Sequence, residues 1–458
     1  MTRTARTALI AWTAVTLLVA ASVVVIDLRL GPDGFSIYIQ QPPLINLPVT
    51  LASVALLWLS AGALLWLVQA GRVQRSNVLS VSGFFLVCWL YLNILSERFR
   101  YGDFQYYLDA ATRLLSHQAL PSTYYYPPFW ATLTQFLVPL GETRFFLVLW
   151  LLNFLSLLLF YVLLHRILQR YGFTAPLAAL VTTLFLLVNT PVLRTLVYVQ
   201  VNLHALNLIL LSLLLYPRRP FLSALALAAA VHLKSSPAVL VLAFLVARDW
   251  RWLAWFMVCL LALAGLTLAF NGNGPFLDML HNLQGLALSQ NTIFHDTSID
   301  SFLRFTGHLF GLGLGPIRFI VYAAKLVLLA ASLAVVARCV RLAAFTRGDE
   351  PEHVVLDALP PLLAFMTIAS PVVWEHHGIF VALSFLVLLK TLDRPSDWLW
   401  FTLAYVLEFL VPTFDFFPWS FGRLLAPLIV LWLMWKTADH AQPTPVFDKA
   451  KLSLEPFS

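Results

Sequence analysis

Thr143-Arg-Phe-Phe-Leu-Val-Leu-Trp-Leu-Leu-Asn-Phe-Leu-Ser-Leu-Leu-Leu-Phe-Tyr-Val-Leu-Leu164 is apolar along nearly its whole length. A helix rises 1.5 Å per residue, so about 20 such residues cross the roughly 30 Å of a bilayer's hydrocarbon core. Comparable apolar runs lie at 8–26, 44–69, 78–96, 175–190, 201–216, 251–270, 316–337, 354–369, 377–391, 397–411 and 421–436. Two shorter ones, 220–233 and 236–247, flank His232-Leu-Lys-Ser-Ser-Pro237. The pattern predicts an all-α, polytopic integral membrane protein with about 14 transmembrane helices.

Composition agrees. The 458 residues are 60% hydrophobic and 11% charged, against about 25% charged in soluble proteins. Fifteen Trp and fourteen Tyr suit the aromatic belts of membrane interfaces. The net charge of +7 comes from short basic clusters between apolar runs, where it sets orientation and does not point to nucleic acid. Cys88, Cys259 and Cys339 are scattered and predict neither a disulfide framework nor a metal site. Arg3 and Arg6 before the first run, without a small-residue cleavage site before Asp27, predict an uncleaved first helix.

The clusters Arg3/Arg6, Arg72/Arg75, Arg166/Arg170, Arg218/Arg219, Arg248/Arg251, Arg338/Arg341/Arg347, Lys390/Arg394 and Lys436 fall on one, cytoplasmic side only if 128–140 does not cross. That run begins at Pro127-Pro128 and is read as re-entrant or interfacial, beside a cavity. The opposite face then receives 97–127, the Asn189–Asn202 turn, the Lys234 hairpin, a 271–315 loop, Ser370–His377 and Pro412–Pro418. The chain divides into N-terminal helices at 1–77, a core module at 78–270, the extracytoplasmic loop at 271–315 and C-terminal helices at 316–458.

On that face, residues 103–116 follow an amphipathic helical pattern after the third transmembrane helix, with Phe104, Tyr107, Leu108, Ala111, Leu114 and Leu115 on one side. Such a helix lies along the interface. Asp103 at its start has two readings: a helix N-cap, or a general base. Moving a sugar from a lipid phosphate needs one carboxylate to take the acceptor's proton, and cations where phosphate charge develops. Soluble glycosidases instead use two carboxylates. Arg98, Arg100, Lys234, Arg304, His376 and His377 are the candidate cations. A lysine between apolar helices is costly and usually functional, although a snorkelling role competes. Asp278, His295, Asp296, Asp300 and His308 match no metal-ligand spacing and read as a solvated loop face. Asp415 reads as a loop residue.

Four segments together resemble glycosyltransferase family 87, polyprenyl-phosphate-dependent membrane enzymes of the GT-C fold. They are Gly102-Asp-Phe104 with Tyr106/Tyr107, Ala110-Ala111 and Tyr126-Pro-Pro128; Gln200-Val-Asn202; Leu233-Lys-Ser-Ser-Pro237; and Ser370-Pro-Val-Val-Trp-Glu-His376. The resemblance covers roughly residues 78–395. One departure is Val199, where the family's motif has glycine before the glutamine. The resemblance implies an inverting transfer on the extracytoplasmic side of the plasma membrane, with Asp103 as base and no metal or cofactor. Lys234, His376, Arg100, Arg98 and Arg304 would bind the donor phosphate. Tyr106, Tyr107, Tyr126, Gln200, Asn202, Trp374 and His377 would meet the sugar or acceptor. It implies a polyprenyl-phosphate sugar donor, mannose first, and a lipid or glycan acceptor among membrane lipids. Two alternatives stay open: a transporter or flippase of lipid-linked sugars, and an arabinofuranosyltransferase of the same fold. Transporters favour ionisable groups at mid-membrane on broken helices, whereas here polar residues gather at one face.

Overall fold

A computed structural model describes residues 103–187, 189–288, 296–347, 350–411 and 419–440, with a few positions before residue 92. Every regular element among the described residues is helical. In chain order these are α1 (Phe104–Leu115), α2 (Phe129–Thr134), α3 (Glu142–Arg170), α4 (Ala175–Leu187), α5 (Thr190–Val197) and α6 (Asn202–Leu215). Then come α7 (Pro220–Leu233), α8 (Val241–Val246), α9 (Trp250–Asn271), α10 (Gly274–Leu288) and α11 (Ile299–Leu309). The chain continues through α12 (Leu314–Arg347), α13 (Pro351–Ala369), α14 (Ala382–Leu388), α15 (Pro395–Tyr405) and α16 (Gly422–Thr437).

Among the described residues, four helices are long and apolar enough to cross a bilayer: α3, α9, the Leu314–Leu342 part of α12, and α13. A fifth crossing arises if α4 and α5, bent by 61° at their junction, form one span. The protein is therefore membrane-embedded. These five fall short of the fourteen expected. The run at 44–69 lies outside the described residues, and those at 8–26 and 78–96 are described only in part, helical at each described position. Others, such as α6 and α7 at 14 residues each, rise only about 21 Å, because polar or proline-bearing breaks end them.

α7 packs between α6 and α9, with α6 in turn against α3, while α13 packs on α12, α8 and α16. The apolar stretch of α13 is 78% buried in protein, against 17% for α9, so α13 is central and α9 presents its side chains to lipid. On α1 the buried stripe is Phe104, Tyr107, Ala110, Ala111 and Leu114. Leu115, expected on that face, is exposed because it falls one position past the stripe.

Two expected loops are helical. The Asn189–Asn202 turn contains α5, capped by the Asn189 side chain accepting from Val192 N–H at 2.9 Å. The 271–315 loop carries α10 and α11. The 128–140 run forms α2 and a 3₁₀ turn at Gln135–Leu140, and α2 packs against α1, α7 and α9. A narrow cavity, with room for about one water molecule, lies away from it, lined by Thr297, Thr367, Trp374, Glu375, Glu408 and Arg423 among others.

Candidate active site

Asp103 does not cap α1. Its side chain makes no capping hydrogen bond; its backbone carbonyl receives the Tyr106 and Tyr107 N–H groups, at 3.0 and 3.3 Å. The carboxylate instead accepts from the Gln200 side-chain amide. Gln200 is wholly buried, and its Oε1 accepts from the hydroxyls of Tyr107 (3.0 Å) and Tyr126 (3.1 Å). With two phenols on its oxygen, the amide can only turn its NH₂ end to the carboxylate. The Asp103 N–H donates to the Tyr198 carbonyl at 3.0 Å, tying the start of α1 to the end of α5.

Gln200 reaches this position because α5 ends in a Schellman turn. Gln200 N–H donates to Thr195 O at 2.9 Å and Val199 N–H to Leu196 O at 3.1 Å, the paired bonds of that motif. The residue between, Val199, has φ +55°, the left-handed region glycine usually fills. Valine at this position leaves the turn intact and puts a β-branched residue in a strained conformation.

Lys234 stands where α7 stops. Pro237 cannot continue that helix, since its ring would clash with the Leu233 carbonyl four residues back. The chain turns extended at Lys234, and its Nζ donates to Asn202 Oδ1 at 2.8 Å and lies 5.3 Å from the Phe380 ring centre. Buried Asn202 in turn donates to the His376 carbonyl at 3.4 Å. The His376 imidazole is buried with Nε2 unpaired, its ring 6.1 Å from that of Tyr198. His377 is committed to the turn itself: its Nδ1 accepts from Trp374 N–H at 3.2 Å.

Asp103 and Lys234 act on each other electrostatically. Burial pushes the Asp103 carboxyl up to about 6, with the Lys234 charge pulling it partly back. Burial likewise holds the Lys234 ammonium well below the usual lysine range, opposed by Asp103. A carboxylate near neutrality suits a base that must take a proton at physiological pH.

Two hydrogen-bonded sets thus face each other, Asp103–Gln200 with Tyr107 and Tyr126, and Lys234–Asn202–His376, coupled through the charges of Asp103 and Lys234. Tyr106 is 48% exposed and makes none of these bonds. Trp374 lines the narrow cavity. Arg304 bears on Asp300, which pairs with Lys325 at 2.5 Å. Arg98, Arg100, Tyr101, His295 and Asp415 lie outside the described residues. Two acids read as a solvated loop face are tied into the fold: Asp300 is 6% exposed, and half-buried Asp296 accepts through Oδ1 from Val373 N–H at 2.8 Å.

Glu375, one residue before His376, pairs with Arg194 of α5 at 3.1 Å and with Arg423 of α16 at 2.8 Å, a role no spacing in the sequence marks.

By architecture this is an integral-membrane protein, and its polar residues gather a half-buried carboxylate, a half-buried lysine and a buried imidazole with an unpaired Nε2. The model of glycosyltransferase family 87 matches residues 124–371, just over half the chain, and the chain belongs to that family. It is a glycosyltransferase, moving a sugar from a donor to an acceptor. The match takes in Tyr126, Gln200, Asn202 and Lys234, and leaves Asp103 and His376 to the geometry. No curated protein and no solved structure matches the chain.

Proposed function

We propose that the protein transfers a sugar, mannose first among candidates, from a polyprenyl-phosphate donor to a lipid or glycan acceptor on the extracytoplasmic side of the plasma membrane. Asp103 is the general base. Its carboxylate takes the proton of the acceptor hydroxyl as that oxygen attacks the anomeric carbon. The bond from that carbon to the phosphate oxygen breaks, its electron pair leaves with polyprenyl phosphate, and the configuration inverts. Lys234 and the free Nε2 of His376 meet the phosphate as its charge develops. Tyr107 and Tyr126 fix Gln200, which holds the base.

The observation that carries this reading is the linked set Asp103–Gln200 and Lys234–Asn202–His376, in which the base and the ammonium feel each other's charge. A base beside a cation answers the needs of phosphate departure; a flippase needs no base. Purified protein incubated with polyprenyl-phosphate mannose, and separately with its arabinose counterpart, selects the donor. Asp103→Asn should abolish transfer while the protein elutes and melts like wild type. Retained turnover in that variant removes Asp103 from the chemistry. Lipid-linked sugar that crosses vesicle leaflets unchanged, with no new glycoside, would establish the flippase instead.

A further inference from the structure

We propose that the 271–315 insertion braces the active site and that Asn282 on α10 is a positioning residue, fixing Tyr126 and through Gln200 the Asp103 carboxylate. The inference rests on the proposed role of Asp103 as base. Asn282 is 6% exposed, and its side-chain amide donates to Pro121 O at 2.8 Å and Tyr124 O at 3.0 Å. Those two carbonyls belong to the first and last residues of one turn, closed by Tyr124 N–H to Pro121 O at 2.9 Å. One amide therefore clamps both ends of the turn. One helical turn earlier on α10, Asp278 accepts from Leu120 N–H at 2.9 Å, so two side chains of the same helix face grip the same strip.

The grip transmits to the site because little slack separates it from Tyr126. Tyr126 follows the turn by two residues and precedes Pro127-Pro128, which bias it to an extended backbone. Its hydroxyl is one of the two that turn the Gln200 NH₂ toward Asp103. The same insertion holds the other side of the site. Asp296 accepts from Val373 N–H at 2.8 Å, and Thr297 N–H donates to Val373 O at 2.8 Å, three residues before His376. A solvated loop would make neither set of bonds to buried backbone.

The titratable groups acting with Asp103 are Lys234, Tyr107 and Tyr126. A carboxylate that loses a well-aimed donor becomes harder to ionise, so the brace has a readout that a merely structural residue lacks. The test labels Asp103 with a hydrophobic carbodiimide, which reacts with the protonated acid, over a pH series followed by mass spectrometry. Wild type should lose labelling as pH rises through about 6. Asn282→Leu should move that midpoint upward by about half a pH unit, Tyr126→Phe should do the same, and the double variant should shift no further than Tyr126→Phe alone. Should Asn282→Leu fail to fold, Asn282→Ser, which keeps one donor, should give a smaller shift in the same direction. An unmoved midpoint in the folded Asn282 variant, additive shifts in the double variant, or no labelling of Asp103 at any pH overturns the brace. Transfer surviving in Asp103→Asn would sink the base assignment while leaving a midpoint shift standing; inert Asp103→Asn with an unmoved midpoint sinks the brace alone.

Discussion

At Asp103 the backbone carbonyl does the helix-starting work and the carboxylate is turned toward Gln200. Sequence could not separate the two uses, because Asp is both a good N-cap and a good base. The Gln200 partner takes the carboxylate away from the cap, and that partner lies 97 residues away. Lys234 was easier to read: a lone lysine followed by Ser-Ser-Pro between apolar runs marks a helix break wherever the chain folds. The raised carboxyl of Asp103 has a definite pH consequence. On the proposed role of Asp103 as base, the carboxylate must be ionised, so kcat/KM should be flat above its value of about 6 and fall as pH drops through it, reaching about one-tenth near pH 5. A pH–rate profile with no acid limb between 5 and 7 would assign the proton transfer elsewhere.

The α5 terminus makes the corresponding case for elements. Val199 keeps a left-handed backbone that costs a residue with a Cβ about 1–2 kcal/mol, yet it is 2% exposed, and burying its side chain returns about 1.5–3 kcal/mol. Burial wins, and a valine is tolerated where glycine fits better. Truncation should then invert the usual order. Val199→Ala gives up the methyls and keeps the strain, whereas Val199→Gly gives up the methyls and sheds it. Thermal unfolding in detergent should find the glycine variant at least as stable as the alanine variant, by up to about 1 kcal/mol. An alanine variant clearly above the glycine one would mean that the turn is not left-handed. Periodicity foresaw α1, α3, α9 and α13 to within a few residues. It missed α10 and α11 because turn formers at Asn271-Gly-Asn-Gly-Pro275 made the whole insertion look like loop.

Across the molecule, Glu375 joins α5 to α16 through two arginines and seats the His376 turn between them. Arg423 is 6% exposed there and Glu375 13%. Glu375→Gln strands buried guanidinium charge and should cost about 3 kcal/mol. Breaking the exposed Arg113–Asp109 pair, with side chains 42% and 51% exposed, should cost less than about 1 kcal/mol. Comparable melting points for Glu375→Gln and Arg113→Ala would remove Glu375 from any architectural role. By itself the sequence determined that the chain is helical and lipid-embedded, and that α7 stops at Lys234 ahead of Pro237. Those properties are written in spacing and composition over a few turns of chain. Only the tertiary structure decided that Asp103 meets Gln200, that Asn202 bridges Lys234 and His376, and that Asn282 and Asp296 reach in from the insertion. Each of these bonds joins residues 32 to 174 positions apart, and helical periodicity carries no information about which distant helix end a given side chain will face.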